Sequence, residues 1–200
     1  MKEDLQQLLA FVEFTTKFQQ VKRIVMANGE DRLENDSEHS YQLAIVAWYL
    51  IQKEKLNLNV ELVLKYCLVH DLVEIYAGDT YFYSNDKNLI DGKAVREADA
   101  LKRIKEEFPN FESLFENISE YETHESSEAK FVYALDKVLP AMNIFLDDGR
   151  SWQTITKDIE KKIIKEKKTS KVSLSPDVLK YWNEFLILLE ENQDHLFLKK

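Results

Sequence analysis

Breaks between secondary-structure elements are rare in this chain, because only four glycines and three prolines occur among its 200 residues. Such sparse turn formers favour long helices over many short strands. Apolar residues recur at three-and-four spacing, the period of an amphipathic helix. Helices are predicted over residues 4–26, 37–54, 59–76, 91–107, 111–122, 126–146, 153–168 and 176–192. We therefore expect an all-α fold, a compact bundle of about seven to nine helices.

Composition and charge are typical of a folded protein with one core. Apolar residues make up 44% and charged residues 32%, and no linker divides the sequence, so residues 1–200 are expected to form a single domain. The net charge of −9 argues against binding a nucleic-acid polymer, which needs dense lysine and arginine. No apolar run is long enough to span a membrane. The single cysteine, Cys67, and a charged N-terminal stretch without a signal-peptide core predict a cytoplasmic protein.

Three ionisable side chains interrupt an apolar part of the third predicted helix. Apart from Cys67 and the tyrosines, His70, Asp71 and Glu74 are the only ionisable residues between positions 66 and 77. Burying charge costs several kcal/mol unless the charge is paired or bound to a metal. At about 100° per residue, the three side chains share one face of a helix. This clustering indicates a functional site rather than chance polarity.

Two more polar residues lie in apolar helices. His39 is in the first turn of the second predicted helix, and Asp136 is surrounded by apolar residues of the segment 131–139. A lone buried histidine is more often a hydrogen-bonded core residue than a metal ligand, and an isolated His-Asp pair means little. Two imidazoles and two carboxylates together suit Mn²⁺, Fe²⁺, Co²⁺ or Zn²⁺. The combined set therefore favours a metal site formed by His39, His70, Asp71 and Asp136.

The spacing of these histidines and aspartates resembles the H…HD…D motif of the HD-domain superfamily of metal-dependent phosphohydrolases. Three segments carry the resemblance: ENDSEHS at 34–40, HDLVEIYAGDT at 70–80 and EAKFVYALDK at 128–137. The likeness spans about residues 8–146, and the helices of residues 150–192 are expected to pack on that core. Within the superfamily, the chain is most similar to the 5'-deoxynucleotidases.

This resemblance implies a function and a set of site residues. The implied reaction is hydrolysis of a small phosphomonoester, a (deoxy)nucleoside 5'-monophosphate, in which water activated by the metal attacks the phosphate. Glu74 and Asp79 correspond to catalytic carboxylates, and Arg23 corresponds to a phosphate-binding arginine. Glu74 is nearly as well suited to orient His70, and Asp79 could instead cap the loop after Gly78. The implied ligands of one divalent ion per chain are His39, His70, Asp71 and Asp136.

Several alternatives remain open at the level of sequence. Ile24 occupies a position where the 5'-deoxynucleotidases commonly have tryptophan, so the resemblance does not fix the sugar. A hydrolase of another small phosphorylated metabolite and a non-catalytic metal or nucleotide sensor are the rival interpretations. The resemblance implies a homodimer, for which the apolar C-terminal helix around Trp182 either forms the interface or covers the core. The charged run 161–171 is interpreted as a solvated face.

Overall fold

The computed structural model describes residues 2–84, 86–156 and 161–197. Within these ranges, eight helices have ten or more residues, and four shorter helical segments bring the total above the predicted seven to nine. The elements in chain order are α1 (Lys2–Phe18), β1 (Lys22–Met26), β2 (Leu33–Asn35), α2 (Asp36–Glu54), α3 (Val60–Val69), α4 (Glu74–Ala77), α5 (Lys87–Asp91), α6 (Lys93–Glu107), α7 (Glu112–Thr123), α8 (Ser127–Leu146), α9 (Arg150–Thr154), α10 (Lys161–Val172), α11 (Pro176–Glu191) and α12 (Gln193–Leu196). The all-α prediction is confirmed, apart from one small sheet. None of the described helices is long and apolar enough to cross a membrane.

A β-hairpin connects α1 to α2, where the sequence predicted the end of a helix and a loop. Strands β1 and β2 are antiparallel, and Lys22 lies opposite Asn35. Gly29 supplies a positive φ of 75° at the turn between the strands. The predicted helix 4–26 is wrong beyond Phe18, because the β-branched middle of β1 pairs with β2 instead of continuing the helix.

Side chains of α9 hold this hairpin in place. The guanidinium of Arg150 donates to the carbonyl oxygens of Ala27 and Glu30, each at 2.7 Å. The hydroxyl oxygen of Ser151 accepts a hydrogen bond from the backbone N–H of Met26 at 2.9 Å. These contacts fix the position of β1, and therefore of any functional side chain on it, relative to the helices.

The third predicted helix is interrupted in the middle of its polar cluster. Helix α3 ends at Val69, and residues 70–73 form a turn. The turn is closed by a hydrogen bond of 2.9 Å from the backbone N–H of Glu74 to the carbonyl of Asp71. His70 and Asp71 therefore lie on a turn rather than on one continuous helix face, which corrects the geometry expected from helical periodicity.

Helix α8 is the central element of the core. It packs against α2, α3, α7, α10 and α11. Its apolar side chains, such as Phe131 and Val132, are almost completely buried. Asp136 lies among them, so this carboxylate is carried by the most buried part of the fold.

The C-terminal helices complete the core from the other side. Helices α10 and α11 pack against α8 and against each other. Trp182, Phe185 and Leu189 of α11 are at most 5% exposed, so this face covers the core and is not left free as an interface. The predicted helix 153–168 is replaced by α9 and α10, and its residues 157–160 lie outside the described ranges.

Candidate metal centre and active site

Three separate parts of the fold bring the predicted ligands together. His39 lies in the first turn of α2, whose start is fixed by a capping box between Asn35 and Glu38. His70 and Asp71 come from the turn after α3, and Asp136 comes from α8. One ligand atom from each of the four residues lies within 4.8 Å of all the others.

The distances within this group show how closely the donors converge. His39 Nε2 lies 2.9 Å from Asp136 Oδ1. His70 Nε2 lies 3.0 Å from Asp71 Oδ2 and 3.8 Å from Asp136 Oδ1. The other ring nitrogen of His70, Nδ1, lies 3.0 Å from the carbonyl oxygen of Cys67, so its N–H can donate there and leave Nε2 directed at the carboxylates.

The electrostatic environment gives these groups their ionisation states. Burial lowers the pKa of His39 to about 4, and the positive charge of Arg23 acts in the same direction, so its imidazole is neutral. Burial opposes ionisation of Asp71, but His70 and Arg23 more than offset it and hold the pKa of Asp71 well below its usual range. The pKa of Asp136 is also strongly lowered, because Lys137 and His39 outweigh the effect of burial.

The donor set fits a divalent transition metal. Both carboxylates are ionised, and two imidazole nitrogens complete a mixed nitrogen and oxygen set. His70 Nε2 is buried and lies 3.0 Å from Asp71 Oδ2, but the two atoms do not form a well-aligned hydrogen bond. Coordination to a metal would give this buried nitrogen a well-directed partner. The four residues can therefore hold a metal ion.

The two predicted catalytic carboxylates lie beside this cluster. Glu74 is 4% exposed, and its Oε2 has no hydrogen-bond partner in the described part of the chain. Burial and the neighbouring charges of Asp71 and Asp79 raise the pKa of Glu74 to about 11. Asp79 lines the same pocket, and burial also raises its pKa. Gly78 precedes it with a φ of 74°, which turns the chain back towards the site.

Arg23, on β1, points into the same pocket and is surrounded by carboxylates. Its Nη1 donates to Asp71 Oδ2 at 2.8 Å and to Asp36 Oδ1 at 3.2 Å. Its Nε lies 3.3 Å from Glu34 Oε2. Asp36, Asp71 and Glu74 form a second group of converging acidic oxygens. Because the guanidinium already bridges Asp36 and Asp71, a cation is present there without a second metal.

The structure adds three lysines to the pocket that sequence reasoning did not select. Lys93, Lys137 and Lys168 line it together with the predicted catalytic carboxylates, Glu74 and Asp79. Lys168 belongs to the run that was interpreted as a solvated face, and that interpretation is wrong for this residue, which is 4% exposed. Its spacing of four residues from Ile164 and Val172 was the available signal, because both of these are fully buried on the same helix face.

Aromatic and aliphatic side chains form the remaining wall of the pocket. Tyr81, Phe82 and Tyr83 come from the loop after Asp79, and Trp152 comes from α9. Ile24 also lines the pocket, beside Arg23. A charged floor with an apolar wall is the arrangement found in sites for small organic ligands.

A helical fold that brings two histidines and two aspartates together beside a pocket is suited to holding a divalent metal ion next to a small ligand, as in metal-dependent hydrolases. The model of the HD domain family matches residues 15–185, which is most of the chain, and the protein belongs to that family.

Individual proteins with sequences similar to this chain include two 5'-deoxynucleotidases. The chain is 34% identical over 134 residues to the 5'-deoxynucleotidase HDDC2 of Bos taurus, covering 65% of this chain and 62% of that protein. The Homo sapiens 5'-deoxynucleotidase HDDC2 is also 34% identical over 134 residues, covering 65% and 63%. The match thus spans less than two thirds of the length of these relatives.

Solved structures share the fold. A protein described as a "Predicted metal-dependent phosphohydrolase" from Magnetospirillum magnetotacticum superposes with a TM-score of 0.80 at 24% identity, covering 97% of this chain and 96% of that chain. A Pyrococcus horikoshii protein superposes with a TM-score of 0.60 at 20% identity, covering 94% and 99%. At these identities the likeness concerns the fold alone.

Proposed function

We propose that this protein is a metal-dependent phosphomonoesterase that acts on nucleoside 5'-monophosphates. The observation that carries the proposal is the convergence of four ligand atoms from His39, His70, Asp71 and Asp136, two of which, Asp71 and Asp136, line a pocket. Membership of the HD domain family and the similarity to 5'-deoxynucleotidases support the reaction and the substrate class. When bound, one divalent ion supplies Lewis acidity and neutralises charge on the phosphate.

Arg23 is the residue that we assign to the phosphate. Its guanidinium lines the pocket and is held by three carboxylates, Glu34, Asp36 and Asp71. These contacts hold the guanidinium of Arg23 in one orientation before a ligand binds. Its Nη1 and Nε already face these carboxylates, so Nη2 is the nitrogen that we assign to donate to a phosphate oxygen.

Glu74 is assigned the proton transfer. Its raised pKa keeps a proton on the carboxyl group, which can be donated to the leaving alkoxide oxygen of the ester. Burial is the main cause of this raised pKa, and a cation held by Asp71 would weaken the repulsion from Asp71 that adds to it. The alternative role, orienting His70, is less favoured, because His70 Nδ1 already faces the carbonyl of Cys67. Asp79, across the pocket, is assigned to orient the attacking water.

The test of this proposal separates metal binding from turnover. His70→Ala and Asp136→Ala should lose the metal, measured by elemental analysis after reconstitution. Glu74→Gln should retain metal at close to one ion per chain and lose at least about 100-fold in kcat, the usual contribution of a general acid. Glu125→Gln, an exposed carboxyl outside the pocket, is the control and should change neither quantity.

A phosphate-release screen defines the substrate. Deoxyribo- and ribonucleoside monophosphates and other small phosphate esters should be compared with Mn²⁺, Co²⁺, Zn²⁺ and Mg²⁺. Hydrolysis of non-nucleotide esters only would favour the rival metabolite phosphatase. Tight nucleotide binding by the metal-loaded protein without any phosphate release would contradict an enzymatic role and favour a sensor.

We also propose a homodimer formed through the N-terminal helices. The apolar stripe of α1 is uncovered, with Leu8 58% and Val12 51% exposed. On α2, Tyr41 is 70% and Trp48 49% exposed, and an apolar groove runs between α1, α2 and α3. Exposed large apolar side chains on two helices with an apolar groove between them favour a protein interface. A second copy can cover it symmetrically.

The oligomeric state tests this proposal. Light scattering should give the mass of a dimer for the wild type and of a monomer for the double variant Leu8→Glu, Trp48→Glu. Ile187→Glu is the control, because Ile187 is 60% exposed on α11 and does not line the groove. A monomeric wild type would contradict the proposal.

We further propose that residues 1–200 form a single domain. A cytoplasmic location is proposed as well, because the buried thiol of Cys67 is free.

A further inference from the structure

Lys168 lies where the pattern of α10 calls for a core residue. Ile164 and Val172, four residues before and after it, are 0% exposed, and Lys168 itself is 4% exposed. Its side chain does not run back to solvent, as most lysines on helices do. Instead it lines the same pocket as Asp71 and Asp136, two of the predicted metal ligands.

The contacts of Lys168 leave its charge without an anion. Its Nζ donates to the backbone carbonyl of Lys137 at 2.5 Å. The rings of Phe82 and Tyr83 lie 5.5 and 5.7 Å from the same nitrogen. Across the described ranges, no carboxylate forms an ion pair with Lys168.

The other cations of the pocket are already compensated. Lys137 pairs with Asp136 Oδ2 at 2.5 Å. Lys93 pairs with Glu97 at 3.2 Å. Arg23 is bound by three carboxylates.

A buried ammonium group without an anion is unstable in its charged form. Burial lowers the pKa of Lys168 to about 7, although the charge of Asp136 acts in the opposite direction. An anion that enters the pocket would restore the charged form and supply the missing partner. The aromatic rings of Phe82 and Tyr83 shield this corner from water, which strengthens such a contact.

We propose that Lys168 is a substrate-binding residue that donates from Nζ to an anionic oxygen of the ligand, so that a phosphate group is held between the metal centre and α10. The proposal rests on the proposed function, because it places the phosphate in the same pocket. It extends the site beyond residues 8–146, to which the sequence motif had confined it, and makes the C-terminal helices part of ligand recognition.

The test measures binding of inorganic phosphate to the full-length, metal-loaded protein by calorimetry. Lys168→Met should weaken phosphate binding by roughly tenfold to a hundredfold, the effect of removing one charge-assisted hydrogen bond. Lys167→Met is the matched control, because Lys167 also lies over the ring of Tyr83, at 5.6 Å, but is exposed and does not line the pocket. Its dissociation constant should stay within about twofold of the wild-type value.

Steady-state kinetics supply a second readout. With a phosphomonoester as substrate, Lys168→Met should raise KM by a similar factor, and Lys168→Arg, which keeps the charge, should recover most of the loss. If Lys168→Met does not fold, Lys168→Gln gives the same comparison.

Equal phosphate dissociation constants for the wild type and Lys168→Met, or no phosphate binding to the wild type, would overturn the assignment. A protein that binds phosphate through Lys168 but hydrolyses no ester would instead refute the proposed function and leave this assignment standing.

Discussion

The burial of Lys168 also leads to a quantitative prediction for stability. The variant Lys168→Met should be more stable than the wild type. The ammonium group has no compensating carboxylate in the described structure, and its nitrogen contacts only a carbonyl oxygen and two rings. Replacing Lys168 by methionine keeps a side chain of similar length on the buried face of α10 and removes the charge. The free energy of unfolding should therefore rise at neutral pH and change little at alkaline pH.

The magnitude follows from the pKa of this group in the two states. The pKa is 10.5 for an unperturbed lysine, as in the unfolded chain, and about 7 for Lys168 in the folded protein. Between these values the unfolded chain binds a proton that the folded protein does not, so the wild type gains stability as pH rises through this window. Below pH 7 both states are protonated and the destabilisation is complete. One pKa unit corresponds to about 1.4 kcal/mol, so the effect between pH 7, where Lys168 is half protonated, and pH 10 is about 3.5 kcal/mol.

Comparing the stability difference at two pH values cancels the contributions to stability that do not depend on pH. Losing the hydrogen bond to the carbonyl of Lys137 costs about 1 kcal/mol at every pH, as does any change in packing. The predicted quantity is therefore the stability difference between Lys168→Met and the wild type at pH 7, minus the same difference at pH 10.

Urea unfolding of the metal-free, phosphate-free proteins at four values between pH 7 and pH 10 measures this quantity. Lys167→Met, exposed on the same helix, should show no comparable dependence on pH. A stability difference between Lys168→Met and the wild type that is the same at pH 7 and pH 10 would refute the argument. It would mean that the ammonium group is compensated in the folded protein.

Three further substitutions test other parts of the fold. Arg23→Leu should lower the free energy of unfolding by about 3–5 kcal/mol, because Asp36 and its neighbouring carboxylates lose their buried partner; urea unfolding that shows a loss below about 1 kcal/mol would contradict this. Gly149→Ala should be strongly destabilising, since a Cβ there would lie 2.2 Å from the carbonyl oxygen of Leu196 at a φ of +74°. Gly29→Ala has a similar φ of +75° with no atom within 4 Å, so thermal unfolding should show a loss of only about 1 kcal/mol; equal losses for the two glycine variants would contradict the clash.

The clustering of His39, His70, Asp71 and Asp136 was predictable from the sequence because burying charge is costly. His39 and Asp136 are isolated polar residues in apolar helices, and such residues need a partner in the folded protein. The structure brings both to the turn that carries His70 and Asp71, although the metal roles of the four residues stay a prediction. The end of α3 at Val69 was less predictable, because the pattern of apolar residues does not change at that position.

The β-hairpin escaped prediction because its stabilising contacts are distant in sequence. Strand β1 is apolar enough to continue a helix, and its alternative partners lie in β2 and in α9. Arg150, which binds the hairpin carbonyls, is 120 residues or more away from them. Local propensity carries no information about such partners.

The sequence by itself determined the helical class of this protein, the number of its long helices and the residue types of a metal centre. These follow from periodicity and from the cost of burying charge, which are properties of short segments. Only the tertiary structure decided that Arg23 is surrounded by carboxylates and that Lys168 enters the pocket without one. Whether a lysine on a charged helix faces water or a cavity depends on what packs against it, and here that is α8, which is distant in sequence.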